Sequence, residues 1–120
     1  MDKKIEYGEL KIEYALKYSK EIKDIAVYLL DLKVANGVFE FLELVAVFEA
    51  FLANQLPRSV GKYKVVIKDK TPYLWISTSG KALYLNKAKV KIFLKFLKNL
   101  EKSVNLIYHG EDTKEIEDEF

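Results

Sequence analysis

The sequence has no cysteine, a single histidine, only two prolines and five glycines. The absence of cysteine excludes disulfides and thiolate metal sites, and one histidine excludes a site built from several imidazoles. No uninterrupted apolar run approaches the roughly 20 residues that a membrane-spanning helix needs. The first ten residues lack the apolar core of a signal peptide. We therefore expect a soluble, cytoplasmic protein with no cofactor and no membrane partner.

Catalytic motifs are also missing. The chain contains no GxSxG nucleophile motif, no P-loop and no GxGxxG nucleotide-binding motif. Between residues 57 and 103 the only acids are Asp69 and Glu101, whereas a magnesium-dependent nuclease needs two or more converging carboxylates. His109 stands beside an acidic stretch and is expected at the surface. We predict that the protein is not an enzyme and has no catalytic or metal site.

The charge of the chain is distributed unevenly. Half of the 120 residues are hydrophobic and 32% are charged, which indicates one domain with a sizeable core and a Lys- and Glu-rich surface of the kind found in thermophile proteins. Residues 1–56 carry seven Lys and ten acids, residues 57–103 carry twelve Lys or Arg and two acids, and residues 104–120 carry one Lys and six acids. The net charges are thus −3, +10 and −5. Because local charge sets the attraction to phosphates, the middle of the chain is the candidate nucleic-acid-binding region.

Two patterns occur in the first 35 residues. The motif KIEY appears twice around Gly8-Glu9, which predicts a small hairpin, with a helix starting near Glu9 as the alternative. From Ala15 apolar residues recur at steps of three and four, which predicts a helix over about Ala15–Ala35 with the spacing of a coiled-coil seam. This stripe fits either packing inside the domain or an interface of a homodimer or higher homo-oligomer. The candidate oligomerisation residues are Tyr18, Ile22, Ile25, Leu29 and Leu32.

A second helix is predicted over Val38–Leu56, where Pro57 ends it. Apolar side chains surround it almost completely, so it must be buried on most sides. No Lys or Arg occurs from Val34 to Pro57. Phosphates would repel such a helix from the major groove, so a winged-helix arrangement does not fit the charge.

The segment Lys62–Asn86 is predicted to form three short antiparallel strands. Alternation assigns one face to the core: Tyr63, Val65, Ile67, Leu74, Ile76, Leu83 and Leu85. The opposite face combines lysines with aromatic rings: Lys62, Lys64, Lys68, Tyr73, Trp75, Ser77, Tyr84 and Asn86. The alternative is that helices cover both faces and that Trp75 and the tyrosines belong to the core.

Asn86 is expected to cap a helix over about Lys87–Ser103. Lysines recur along it at steps of three and four: Lys87, Lys91, Lys95, Lys98 and Lys102. This ridge is either a solvated helix face or a phosphate-facing surface.

The expected fold is α+β, with two N-terminal helices, a small antiparallel β-meander of three to four strands and one helix in the C-terminal half. It forms a single domain over residues 1–109, followed by a disordered acidic tail over residues 110–120.

Two family resemblances follow from these features. The acidic end GEDTKEIEDEF, with Phe120 last, resembles the tails of bacterial and phage single-stranded DNA-binding proteins. That implies docking of a protein partner through Phe120 and competition with DNA for the basic surface, although the usual Pro before the final Phe is missing. The body resembles the archaeal single-stranded DNA-binding proteins of the ThermoDBP type, through its expected sheet, its zipper-like helix over Ala15–Leu32 and its basic helix. This resemblance implies single-stranded DNA binding by an oligomer.

The sequence therefore predicts sequence-independent binding of single-stranded DNA, with RNA not distinguished. Aromatic rings stack on unpaired bases and lysines neutralise phosphates. The candidate nucleic-acid-binding residues are Arg58, Lys62, Lys64, Lys68, Tyr73, Trp75, Lys81, Tyr84, Lys87, Lys91 and Lys95. One alternative is a protein-interaction module, such as a small viral or plasmid-encoded inhibitor, that uses the same charged face. The other is a double-stranded DNA binder that uses the lysine helix.

Overall fold

The structure is a computed structural model that describes residues 3–18 and 20–102 with their side chains, together with the backbone of the last helix. In the described part of the chain two four-stranded antiparallel sheets are each followed by a helix. The elements are β1 (Lys3–Tyr7), β2 (Leu10–Lys17), β3 (Glu21–Leu29), β4 (Leu32–Asn36), α1 (Val38–Leu52), β5 (Ser59–Val60), β6 (Tyr63–Lys68), β7 (Thr71–Thr78), β8 (Lys81–Asn86) and α2 (Lys87–Asp118). The strands of each sheet are neighbours in chain order, β1 to β4 in the first sheet and β5 to β8 in the second. The chain thus contains the order ββββα twice.

A single hydrophobic core joins both sheets and both helices. The first sheet contributes Leu10, Ile12 and Val27, each at most 1% exposed. From the second sheet Leu74 and Ile76 are fully buried in the same cluster. Each sheet therefore turns one face inward, and its other face is left for solvent or a ligand. No helix in the described part of the chain is long and apolar enough to span a membrane.

Helix α1 is buried on most sides, as its composition predicted. Its core residues are Phe41, Leu44, Val45, Val47, Phe48 and Phe51. It ends at Leu52, before the predicted Leu56, because Asn54 takes a left-handed conformation with φ 57° and breaks the helical path. The exposed charges of this helix are the carboxylates of Glu43 and Glu49.

The predicted first helix over Ala15–Ala35 is wrong, because this segment forms β2, β3 and β4. Two features of the strands imitate a helical period. A bulge leaves Lys23 unpaired between the pairs Leu16–Ile22 and Ala15–Asp24, so Ile22 and Ile25 face the same side although their spacing is three.

The turn between β3 and β4 has a similar effect. Leu29 and Leu32 are directly opposite each other across a two-residue turn, so they too share a face at a spacing of three. Leu30 and Asp31, the residues of that turn, have φ angles of 49° and 64°. These left-handed conformations are uncommon for a leucine, so the sequence carries no clear turn signal at this place.

The candidate oligomerisation seam is wrong for the same reason. Ile22, Ile25 and Leu29 are at most 1% exposed within the core, and Leu32 packs against that core. Tyr18 lies in the β2–β3 turn and is 83% exposed. These residues are not aligned on one outward surface and form no zipper.

Other expectations are confirmed. β1 and β2 form the hairpin around Gly8-Glu9, so the alternative helix from Glu9 is wrong. The segment Lys62–Asn86 forms an antiparallel meander. Its fourth strand, β5, pairs with β6 and was not predicted from the sequence. The sheet count was wrong, since a four-stranded sheet, β1 to β4, stands where a hairpin and the first of the two N-terminal helices were expected. The last helix begins at Lys87 as predicted, but its backbone continues past the predicted end at Ser103 to Asp118, through most of the expected disordered tail. The prediction for Phe120 lies outside the described residues.

Candidate nucleic-acid interface

The two faces of the second sheet divide as alternation predicted, except that Ile67, which was assigned to the core, is 69% exposed near the end of β6. Tyr63, Leu74, Ile76, Leu83 and Leu85 are all buried in the core. The opposite, outer face carries lysines and aromatic rings, and we call it the aromatic-lysine face: Lys64, Lys68, Tyr73, Trp75 and Tyr84. The predicted face did not include Val66, which lies between Lys64 and Lys68 on this face and follows from the same alternation.

One row of the aromatic-lysine face crosses three strands. Lys64 on β6 is opposite Trp75 on β7, and Trp75 is opposite Tyr84 on β8. The Lys64 Nζ lies 4.8 Å from the centroid of the Trp75 ring, a cation–π distance. Tyr84 is 59% exposed and Trp75 is partly exposed, so the helices do not cover this face.

A second row borders a shallow, open depression. Val66 is opposite Tyr73, and Tyr73 is opposite Asn86. The depression has a volume of about 670 Å³ and is lined by Val66, Ile67, Lys68, Asp69, Tyr73 and Tyr84. Its lining thus combines two tyrosine rings with one lysine and one carboxylate. Its open shape suits an extended ligand that lies across the sheet.

Tight turns hold these rows in register. Asp69-Lys70 and Ser79-Gly80 all have positive φ angles, between 51° and 74°. Two-residue turns with such angles match the right-handed twist of the strands that they join. The pairing from Tyr63–Ile76 to Lys68–Thr71 is uninterrupted, so the alternation of side chains is preserved along the whole strand.

The charge of the aromatic-lysine face differs from that of the first sheet's outer face. On the first sheet acids are directly opposite lysines: Lys4 with Glu13, Glu6 with Lys11, and Lys17 with Glu21. On the second sheet Lys64 is opposite Trp75, and Lys68 is opposite Thr71. The lysines of the aromatic-lysine face therefore have no carboxylate directly opposite them across the strand pair, which makes this face more favourable to a polyanion than the outer face of the first sheet.

Three predicted cations lie elsewhere on the second sheet. Lys62 donates its ammonium to the carbonyl of Val34 in β4 and lies 3.9 Å from a Glu40 carboxylate oxygen, so it joins the two halves of the chain. Lys81 is opposite Thr78 and shares its alternation with the inner face. Arg58 is exposed beside the short strand β5. None of the three belongs to the aromatic-lysine face.

The lysine ridge of α2 is partly engaged in contacts within the protein. Lys87 donates to the Asn54 side-chain oxygen. Lys98 lies 3.1 Å from a carboxylate oxygen of Glu101 and 3.7 Å from one of Glu49. The hydrogen bond to Glu101, and the charge of both carboxylates, raise the pKa of Lys98. Salt bridges on an exposed helix are weak. Even so, these contacts direct the ammonium groups of Lys87 and Lys98 toward other groups of the protein.

Two predicted lysines of α2 are exposed. Lys91 and Lys95 point to solvent, and within residues 3–18 and 20–102 they have no ion-pair partner. Lys95 borders a groove between β1 and α2 in which the Tyr7 and Phe96 rings lie 5.0 Å apart. These two lysines remain a second basic surface, separate from the aromatic-lysine face.

Within the same described residues no group of three or more acidic or histidine side chains is placed to hold a metal ion. Comparison of the chain with family models, curated proteins and solved structures found no match. The assignment of a function therefore depends on the chemistry of the surfaces described above.

Proposed function

We propose that this protein binds single-stranded DNA without sequence preference through the aromatic-lysine face. The observation that carries the proposal is the Lys64–Trp75–Tyr84 row, in which a cation and two partly exposed rings stand side by side on adjacent strands. Rings of this kind stack on bases, and each stacked base contributes on the order of 1–3 kcal/mol. Lysines beside them neutralise phosphates and release counterions.

The spacing of the side chains supports an unpaired strand. Adjacent strands of a sheet lie about 4.8 Å apart, and residues two positions apart on a strand are about 6.6 Å apart. Three rings therefore lie close enough together to contact neighbouring bases of one strand: those of Trp75, Tyr84 and Tyr73. Only unpaired bases offer π-faces to such rings, because duplex DNA keeps its bases stacked in the helix.

The geometry favours this function over binding of duplex DNA by α2. A helix in the major groove needs free cations along its exposed side. Lys87 and Lys98 contact Asn54, Glu49 and Glu101, so the ridge has fewer cations for phosphates than its sequence suggests. The aromatic rings of the second sheet would also have no role in that mode.

A fluorescence titration tests the proposal directly, because Trp75 is the one tryptophan of the chain. Addition of a single-stranded oligonucleotide should quench Trp75, and the affinity should fall as salt rises. The same titration with RNA and with a duplex of equal length measures the preference. Quenching that is absent at low salt, or duplex binding that is tighter than single-strand binding, contradicts the proposal.

The first sheet offers a matched control within the same molecule. Tyr28 is partly exposed, and the ammonium groups of Lys11 and Lys33 lie 4.5 and 5.7 Å from its ring centroid. The cation–π contacts thus resemble that of Trp75, but the surrounding face carries carboxylates. Variants of Tyr28 and its lysines should leave affinity for the oligonucleotide unchanged.

A further inference from the structure

The strand at the outer edge of the aromatic-lysine face, β8, has backbone groups without a partner in the described part of the chain. Ser77 of β7 donates its backbone N–H to Lys62, on the β6 side, at 3.0 Å. Because backbone groups alternate along a strand, Leu74 and Ile76 then face β8 and pair with Leu85 and Leu83. The N–H and C=O groups of the intervening β8 residues point away from the sheet.

The other three edges are protected. In β1 three of the five residues are charged (KKIEY). In β4 the carbonyl of Lys33 accepts the Thr78 hydroxyl at 3.0 Å, and the carbonyl of Val34 accepts the Lys62 ammonium. β5 is two residues long and follows Pro57. Charges, covering groups, short strands and proline are the usual means by which proteins prevent edge pairing.

None of these protections applies to β8. It has six residues, KALYLN, with its single charge at the first position, and its pairing with β7 is uninterrupted by a bulge. Such an edge is a template for another strand. We propose that the free edge of β8 pairs antiparallel with β8 of a second copy of this chain, with Leu83 opposite Leu83 of the second copy at the two-fold axis.

Side-chain complementarity selects a second copy and this register. Ala82 would be opposite Tyr84 of the second copy, so a small side chain meets a large one on the outer face. Lys81 would be opposite Leu85, so no like charges meet. A shift of two residues that centred Tyr84 would place Lys81 opposite Lys87 of the second copy, at the start of α2, so that like charges would meet.

The pairing would join two aromatic-lysine faces into one surface. The combined sheet has eight strands, and Tyr84 of each copy lies next to Ala82 of the other. From β6 of one copy to β6 of the second the surface spans five strand spacings, about 24 Å. The pairing itself does not depend on nucleic acid, whereas the doubled binding length depends on the proposed function.

Disulfide trapping without nucleic acid tests the pairing and its register. The natural chain has no cysteine. A mixture of the Ala82→Cys and Tyr84→Cys variants should form an oxidised heterodimer, because directly opposed residues have Cα atoms about 5.5 Å apart, within disulfide reach. A mixture of the Lys4→Cys and Glu6→Cys variants is the matched control, because these positions are also two residues apart but lie on the edge strand β1. Heterodimer yields that do not exceed that control overturn the proposal.

Sedimentation of the full chain over a concentration series gives a second, independent readout. Ala82→Pro removes an edge N–H that β7 does not use, so it should weaken dimerisation by about tenfold or more while far-UV circular dichroism stays unchanged. Lys4→Pro on β1 should leave dimerisation unchanged. A monomeric wild type, or a dimer insensitive to a folded Ala82→Pro variant, overturns the proposal and leaves the single-strand binding of a monomer to be judged separately.

Discussion

The ammonium nitrogen of Lys64 lies 4.8 Å from the ring centroid of Trp75, directly across the β6–β7 pair. In the free protein the ammonium group thus lies over an aromatic ring that is partly exposed on the outer face of the second sheet. A bound strand offers both groups a better partner, a base for the ring and a phosphate for the ammonium. The Lys64–Trp75 pair thus supplies both parts of the proposed interaction, which are stacking on a base and neutralisation of a phosphate.

Replacement of Trp75 by leucine should weaken single-stranded DNA binding by about 5- to 150-fold, because it removes one stacking ring while keeping an apolar side chain. Anisotropy of a labelled oligonucleotide measures the change, since the variant has no tryptophan to report. Tyr28→Leu on the first sheet is the control and should bind like the wild type. Equal affinity of both variants would assign no binding role to Trp75.

Replacement of Lys64 and Lys68 together by glutamine should reduce the salt dependence of binding. Each phosphate contact contributes about 0.7 to the slope of log affinity against log salt for a single strand, so the slope should fall by about 1.4. Lys11→Gln with Lys33→Gln removes two lysines from the other sheet and should leave the slope unchanged. If both pairs lower the slope equally, the binding is general electrostatic attraction and not a property of one face.

The cap of α2 is predicted to stabilise the fold. The side-chain oxygen of Asn86 accepts the backbone N–H of Lys89 at 2.8 Å. Asn86→Ala leaves that donor without its partner and should lower the free energy of unfolding by about 1 kcal/mol. Urea denaturation measures the change. Asn86→Asp retains an acceptor at the same place and should stay close to the wild type.

The Tyr63 hydroxyl is buried and has no hydrogen-bond partner among the described residues. An unsatisfied buried hydroxyl costs about 1–3 kcal/mol. Tyr63→Phe should therefore raise the free energy of unfolding by about 1 kcal/mol at pH 7. Tyr28→Phe, at a partly exposed site, should change it by less than about 0.5 kcal/mol. Destabilisation of the Tyr63 variant would show that the hydroxyl makes a favourable contact.

The pH dependence of the free energy of unfolding should differ between the wild type and the Tyr63→Phe variant. Burial, and to a lesser extent the Glu43 and Glu40 carboxylates, raise the pKa of Tyr63 well above its ordinary value. The folded state then holds the phenol proton more tightly than the unfolded chain does. Its contribution is complete below about pH 10 and is lost as the pH rises above that value. The stability advantage of Tyr63→Phe should consequently grow above pH 10, as denaturation at several pH values would measure.

Alternation alone predicted most of the candidate interface. The 62–86 segment has short strands, turn residues between them and side chains that alternate between two faces, so the assignment of Trp75 and Tyr84 to the outer face followed from the sequence. Lys62 shows the limit of that approach. Its backbone has the alternation of Lys64, but its side chain contacts Val34 and Glu40 from the other half of the chain, and no local pattern encodes such a contact.

The sequence by itself determined the buried helix α1, the capped start of α2 and the alternation of side chains along the second sheet, because each depends on neighbours within a few residues. At Gly8-Glu9 it left a hairpin and a helix both open. Tertiary structure decided the first sheet. Ile22, Ile25, Leu29 and Leu32 have helical spacing, yet a bulge at Lys23 and a turn at Leu30–Asp31 put them on one face of a sheet. Both arrangements bury the same leucines and isoleucines, and only cross-strand pairing with β2 and packing in the shared core select the strands.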